Sequence, residues 1–337
     1  MVSISPLVSI SLRAQGQIFV LCSLVLLLSA CASPLLQRDV SLPVTANGAE
    51  LQGVTVELHT RRVLDLDSLV RLLSDAQVIA LGEEHYHPDI QAFELHLLRA
   101  LVQQRPQHLA LAMEFLERDE QPAVDAYLAG TIDQATFHQR IEASSSFQRY
   151  YSPLIDFAQQ ARLPIIAMNV PRRIARQVAK EGWQKTFQGL DAAERVYLPA
   201  TLPTVSAHYR TYFLDAVAAH HPVQGEQAER LTESALLKDV TMADSLAAFL
   251  DHHPDFTVLA IAGRFHIDYG IALPSLLRQQ RQQVVMRRLT TMSVTADSRI
   301  DLRHLWEEDI ADYIRFFPPA PTPHDKADGR LHLTTVP

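Results

Sequence analysis

Val78-Ile79-Ala80-Leu81-Gly82-Glu83-Glu84-His85 is the stretch on which the fold turns. Four apolar residues run into a glycine, and two carboxylates and an imidazole follow at once. A short apolar run bounded by breaker or polar residues has the pattern of a strand buried on both faces. Three further runs share it: Leu109–Met113, followed by Glu114; Pro164–Met168, followed by Asn169; and Val258–Ala262, followed by Gly263-Arg264-Phe265-His266. Helical patterns lie between them. In Asp89–Gln104 the residues Phe93, Leu97, Leu98 and Leu101 share one face; Ser152–Arg162 and Pro171–Glu181 follow, with Pro171 suited to a first turn. Strands alternating with helices predict an α/β domain with a central, mainly parallel sheet flanked by helices. Further strands are expected at Val284–Leu289 and Asp312–Phe316. Glu117–Ser146 and Gln184–Leu250 hold no strand pattern, and Glu226–Leu250 has the look of one long helix. These segments form the expected helical insertion lobe, walling a cleft at the strands' C-terminal edge.

In an open parallel sheet, ligands bind beyond the carboxyl ends of the strands. Each of the four strands delivers a titratable or hydrogen-bonding residue to that edge, and two of them do so through a Gly-x-x-His turn. The glycine lets the backbone turn sharply, and the histidine three residues on can fold back over the edge. Glu83, His85, Glu114 and His266 are therefore the candidate catalytic or metal-ligating set, with His87 and Asn169 as further polar residues of the cleft. Two imidazoles with carboxylates suit zinc, manganese or iron. The alternative is that the histidines only hydrogen-bond carboxylates that would otherwise repel one another. Tyr86, Tyr150 and Tyr151 are phenols of the kind that ligate ferric haem, and Arg172 and Arg264 stand where an anion could dock. Tyr150 and Tyr151 have a packing role as their ordinary alternative. No nucleophile elbow, P-loop, Gly-rich dinucleotide fingerprint or His-Glu-x-x-His helix is present, which argues against acyl-transfer, nucleotide and hydride chemistry.

The N-terminus carries an address. Arg13 precedes the apolar run Ile18–Leu28, which ends in Leu28-Ser29-Ala30-Cys31. The run is shorter than the ~20 residues of a membrane-spanning helix and has the form of a cleaved signal over residues 1–30. The tetrapeptide resembles a bacterial lipobox, with Cys31 the lipidated first residue of the mature chain. Ala32 in the next position resembles the pattern for sorting to the outer membrane, with the domain facing the periplasm. Residues 31–50 are polar and read as a tether, 51–317 as the α/β domain, and 318–337 as a Pro-rich disordered tail. The full chain has a formal charge of −8, and Arg13 is the sole charged residue before Cys31. The mature chain is thus more acidic still, which argues against a nucleic-acid partner and leaves lipid as the anchor. Cys22 and Cys31 are the two cysteines, so nothing remains for a disulfide.

Taken together, the motifs are recognisable. Leu81-Gly82-Glu83-Glu84-His85 with Pro88, Ala112-Met113-Glu114-Phe115, Tyr151-Ser152-Pro153-Leu154, Ala167-Met168-Asn169-Val170-Pro171, Asp239-Val240-Thr241-Met242-Ala243 and Ala262-Gly263-Arg264-Phe265-His266 resemble the ChaN-like haem-binding lipoproteins. That family lies in the superfamily of Tiki, TraB and erythromycin esterase proteins. The resemblance covers about residues 55–317 and implies a lipid-anchored protein that binds haem as a stacked pair between two subunits and assists haem uptake. It also implies a tyrosine as iron ligand, with Tyr151 the favoured match. The Tiki relatives imply an alternative: a hydrolase using a divalent metal, with His85, His266, Glu114 and Glu83. Three positions depart from the family: Tyr86-His87 stand where Asp-Asn is usual, Ile90-Gln91 replace histidines, and Arg264-Phe265 replace a small polar pair.

Overall fold

A computed structural model describes residues 40–105, 107–199, 202–218 and 223–321. The expected signal, Cys31, the first part of the tether and the tail from residue 322 lie outside the described residues.

The strands are β1 (Thr45–Asn47), β2 (Thr55–Glu57), β3 (Arg62–Leu64), β4 (Val78–Glu83), β5 (Leu109–Glu117), β6 (Ile165–Asn169), β7 (Thr257–Gly263), β8 (Met286–Ser293), β9 (Arg299–Asp301) and β10 (Tyr313–Phe317). Eight of them form one sheet in the order β3-β2-β10-β8-β4-β7-β5-β6, and β1 pairs β9 in a separate ribbon. From β10 to β6 every pairing is parallel, while β2 and β3 are antiparallel at one end. The α/β class and the mainly parallel sheet thus match the expectation, and the four central strands lie where their apolar runs place them.

Alternation along the strands sorts the core into two layers. Ile79, Leu81, Leu111, Met113 and Ile261 point to the face covered by the helices Pro88–Gln104 and Ser152–Gln160. Ala80, Ala110, Ala112, Ala260 and Ala262 point to the other face. There the small side chains meet Ala235, Ala243 and Ala247 of the 28-residue helix Gly225–His252, so that helix lies close against the sheet. The long helix expected at Glu226–Leu250 is therefore present, extended by a residue or two at each end.

Two expectations change. Residues 41–50 are not an irregular tether: Ser41 bridges Arg62, β1 pairs β9, and Ala46 and Leu51 are buried in a small core with Val56 and Phe316. Apolar side chains spaced through a polar segment were enough to dock it. The strand expected at Val284–Leu289 begins at Met286 and runs on to Ser293, because Thr290 and Thr291, polar by type, are buried and hydrogen-bonded.

The order of connections places the site. From β4 the chain passes to a helix on the first face and then to β5; from β7 it passes to the helix Leu273–Gln280 on the second face and then to β8. Adjacent strands whose exits leave for opposite faces open a crevice between them at their carboxyl ends. That point lies between Glu83 and Gly263, which are paired in register.

Candidate functional site

Glu83 ends β4 with its side chain buried and fully engaged. Its Oε1 accepts from the Tyr151 hydroxyl at 2.5 Å and from His85 Nδ1 at 2.8 Å, and its Oε2 accepts from Gln91 Nε2 at 2.8 Å. Holding the proton on Nδ1 sets the imidazole tautomer and leaves Nε2 of His85, which has no hydrogen bond among the described residues, in the lining of the cleft. Burial disfavours charge on His85, but the Glu83 hydrogen bond and the fields of Glu83 and Glu114 outweigh it and raise the pKa. His85 can therefore hold or release a proton at Nε2.

Gly263 explains the other half of the turn. A Cβ built there would stand 2.7 Å from His85 Cε1 and 3.0 Å from Nε2, so the imidazole packs where a side chain would be. Gly263→Ala should displace His85 and cost about 1–3 kcal/mol as an overpacking change. Denaturant unfolding and the His85 imidazole NMR signals check it; an unmoved His85 would contradict the packing.

The β5–β6 register breaks between Met113 and Glu117, and this bulge turns Glu114 into the cleft. Glu114 Oε2 accepts the Gly263 N–H at 2.7 Å, and Oε1 lies 3.3 Å from His266 Nε2. On its other side, His266 Nδ1 donates to Asp239 Oδ1 at 2.6 Å, and Asp239 Oδ2 accepts from the Tyr209 hydroxyl at 2.5 Å. Burial opposes the imidazolium, yet two flanking carboxylates push its pKa up to about 10. Burial likewise opposes the Glu114 carboxylate, but His266 and His85 hold its pKa well below the ordinary range. His266 is thus a buried cation clamped between two anions.

The expected set Glu83, His85, Glu114 and His266 does converge at one edge, but as hydrogen-bonded pairs. Both nitrogens of His266 are committed to carboxylates, and among the described residues no group of three His, Cys, Asp or Glu side chains is arranged to hold a metal ion. These residues do not fit a divalent cation. The simpler alternative, imidazoles neutralising acids at the sheet edge, describes the floor of the cleft.

The other predicted residues divide. Tyr151 is fully buried, stacked on Phe115 with centroids 4.0 Å apart and bonded to Glu83, so its phenol cannot face a haem. This corrects the favoured iron ligand, and the packing role applies. His87 is also outside the cleft: it precedes the helix Pro88–Gln104 and donates from Nε2 to the Pro318 carbonyl at 2.9 Å. Arg264 is occupied by Asp268 at 2.9 Å and Glu84 at 3.4 Å, which removes it as a free anion site. Asn169 lines the cleft and donates to the Glu114 carbonyl at 3.1 Å, bracing the bulge. Arg172 lines the cleft, exposed, and pairs with Glu117 at 3.2 Å.

Tyr86 and Tyr150 remain, and they stand beside the cleft rather than in its lining. Both are half-buried, with centroids 5.9 Å apart, and neither hydroxyl makes a hydrogen bond among the described residues. Tyr86 takes φ +60°, a left-handed conformation that costs a non-glycine residue about 1–2 kcal/mol. Burial raises its pKa and the Arg172 guanidinium works against that rise. Arg149 lies 5.9 Å from the Tyr150 ring centroid. An aromatic platform with free phenols and nearby guanidinium groups suits ferric haem, phenol toward iron and cation toward a propionate.

Sequence reasoning missed Tyr209 and Glu94, and it named Asp239 and Gln91 only as motif positions without seeing them as inner partners. The available signal was a carboxylate on a helix's apolar face: Asp239 among Leu236, Leu237 and Val240, and Glu94 beside Phe93 and Leu97. Glu94 is completely buried, and no donor reaches either oxygen among the described residues. Burial and the charge of Glu83 beside it raise its pKa well above the ordinary value, so it keeps its proton. A native state that holds this proton loses stability progressively as pH rises from the unfolded carboxyl's pKa toward the raised folded one. Glu94→Gln should therefore fold as well as the parent near pH 5 and better near pH 8, by about 1–3 kcal/mol. Urea unfolding at both pH values checks this, and a destabilised variant at pH 8 would contradict it.

The fold and the cleft together define an α/β protein with a crevice at the switch point of a mainly parallel sheet, floored by two carboxylate–histidine pairs. The family described as "Haem-binding uptake, Tiki superfamily, ChaN" matches residues 69–277, and the chain belongs to it. Among solved structures, the chain is similar to ChaN of Campylobacter jejuni, described as binding haem cofacially. The identity is 19%, with 77% of this chain and 95% of that chain covered at a TM-score of 0.58. A weaker likeness is to an erythromycin esterase in its open conformation, 11% identical over 72% of this chain and 77% of the other, TM-score 0.42. The curated relative Protein RETICULATA-RELATED 5, chloroplastic, of Arabidopsis thaliana is 22% identical over 259 residues. That alignment takes in 72% of this chain and spans about a third (34%) of the relative's length.

Proposed function

We propose that this chain is a lipid-anchored haem-binding protein of the bacterial outer membrane that assists haem uptake. Haem lies on the aromatic pair beside the cleft, where Tyr86 packs against the lining residues His85 and Phe115, with Tyr86 as iron ligand, Tyr150 as a second platform ring and Arg172 toward a propionate. The observation that carries the proposal is the Tyr86 phenol: half-buried, strained at φ +60°, free of any hydrogen bond among the described residues, and under the field of Arg172. Membership of a haem-binding uptake family supports it. Bound iron would supply its own redox and ligand chemistry; the residues of the chain hold the group, orient it and exclude water. The half-exposed pair of rings also suits a second copy closing over a stacked haem pair. Anchoring through Cys31 and export by residues 1–30 rest on the lipobox-like Leu28-Ser29-Ala30-Cys31.

Ferric haem titrated into the protein and followed by absorbance should give a saturating Soret change. A protein that shifts haem no more than serum-free buffer does would overturn the proposal. Labelled palmitate incorporated by the parent and not by Cys31→Ala would test the anchor.

A further inference from the structure

One wall of the cleft carries three cations, two of which have no hydrogen bond or ion pair among the described residues. Arg172 and Arg176 stand one turn apart on the helix Arg172–Glu181, and both line the cavity. Lys238 lines it from the long helix beside them. Ser234, one turn before Lys238, donates its hydroxyl to the Ala175 carbonyl at 2.8 Å and locks the two helices together. Arg172 is tied to Glu117, but Arg176 and Lys238 make no hydrogen bond or ion pair among the described residues. Lys238 is half-buried, and an ammonium taken partly out of water without a partner is held at a cost that a ligand anion would relieve. Lys238 also acts through space on Glu114 and Glu117 of the same lining, and the exposed acids Asp215 and Glu308 sit on other elements, while the cations are gathered on two packed helices. The stacked pair Tyr212 and Phe265, 5.0 Å between centroids, adds an apolar surface to the same space. The cavity measures about 1120 Å³, slightly above the roughly 300–1,000 Å³ usual for small-molecule sites. The ligand it is built for is large, anionic at one end and flat or apolar elsewhere.

We infer that Arg176 and Lys238, with Arg172, take the carboxylates of a tetrapyrrole, and that the chain binds porphyrin dicarboxylates whether or not they carry iron. The inference rests on the haem proposal for the aromatic pair beside the cleft and adds a recognition element to it: the carboxylates select the ligand, and the tyrosine selects its metal. Guanidinium and ammonium groups form charge-assisted hydrogen bonds with carboxylates, roughly twice as strong as neutral ones.

Metal-free protoporphyrin IX titrated into the full protein, read by porphyrin fluorescence beside a parallel haem titration, tests this. Protoporphyrin IX should bind and its dimethyl ester should bind at least about tenfold more weakly, the equivalent of one lost charge-assisted contact. The double variant Arg176→Met, Lys238→Met should lose a similar factor, and Lys238→Arg should retain binding. Haem bound without protoporphyrin IX, or acid and ester bound alike by the parent, would overturn the inference and leave the haem proposal standing. Binding of neither haem nor porphyrin would overturn both. The ester comparison is made on the parent protein, so a variant that failed to fold would not shelter the inference.

Discussion

Tyr86→Phe should weaken ferric haem binding at least about tenfold, ~1.4 kcal/mol or more, and Tyr151→Phe should leave it nearly unchanged. The two tyrosines differ in access rather than chemistry. Tyr151 is fully buried and its hydroxyl is spent on Glu83, whereas the Tyr86 hydroxyl has no partner among the described residues. Burial and the neighbouring Glu83 carboxylate raise the Tyr151 pKa well above the ordinary value, so its phenolate is out of reach. The cost of Tyr151→Phe falls on stability instead. Glu83 loses one of three donors inside the core, which should destabilise the fold by about 1–3 kcal/mol. Haem titration and urea unfolding of both variants separate the effects. Haem affinity that falls with Tyr151 and not with Tyr86 would reverse the assignment.

Asp239→Ala, beneath the floor of the cleft, should be strongly damaging, destabilising the protein by about 3–5 kcal/mol. It leaves the His266 cation with Glu114 alone and the buried Tyr209 hydroxyl with no acceptor. The same clamp predicts an alkaline limit. The folded pKa of His266 is raised to about 10, against roughly 6.5 in an unfolded chain. Its contribution is fully present below the lower value, declines as pH rises between the two, and is gone above the folded one. The parent should therefore lose stability between about pH 7 and pH 10, by several kcal/mol at ~1.4 kcal/mol per unit. His266→Gln should be less stable at neutral pH and flatter over that range. Equal alkaline slopes in parent and variant would mean that His266 is not held as a cation.

The central sheet was legible because β4, β5, β6 and β7 are apolar on both faces, and such runs stand out without any partner in view. β2, β3, β1 and β9 are three residues each and carry Glu57, Arg62, Arg299 and Asp301. Their stability comes from pairing and from the small core around Ala46, Leu51 and Phe316, which no local pattern announces. The convergence of Glu83, His85, Glu114 and His266 was legible too, since each follows a strand of one parallel sheet. What they do to one another was not. The commitment of both His266 nitrogens depends on Asp239, from a helix distant in sequence, and the withdrawal of Tyr151 depends on Phe115 and Glu83 closing over it. Residue type named the candidates; burial and partners decided which of them face a ligand.

Ferric haem is paramagnetic and broadens the NMR signals of nuclei near the iron, so its position can be read directly. Backbone amide signals of the haem complex should vanish around Tyr86, Phe115 and Arg172 and persist at the opposite edge of the sheet, near Gln77, His108 and Thr257. Broadening centred on that opposite edge, or spread evenly over the surface, would contradict a haem seated at the β4–β7 crevice.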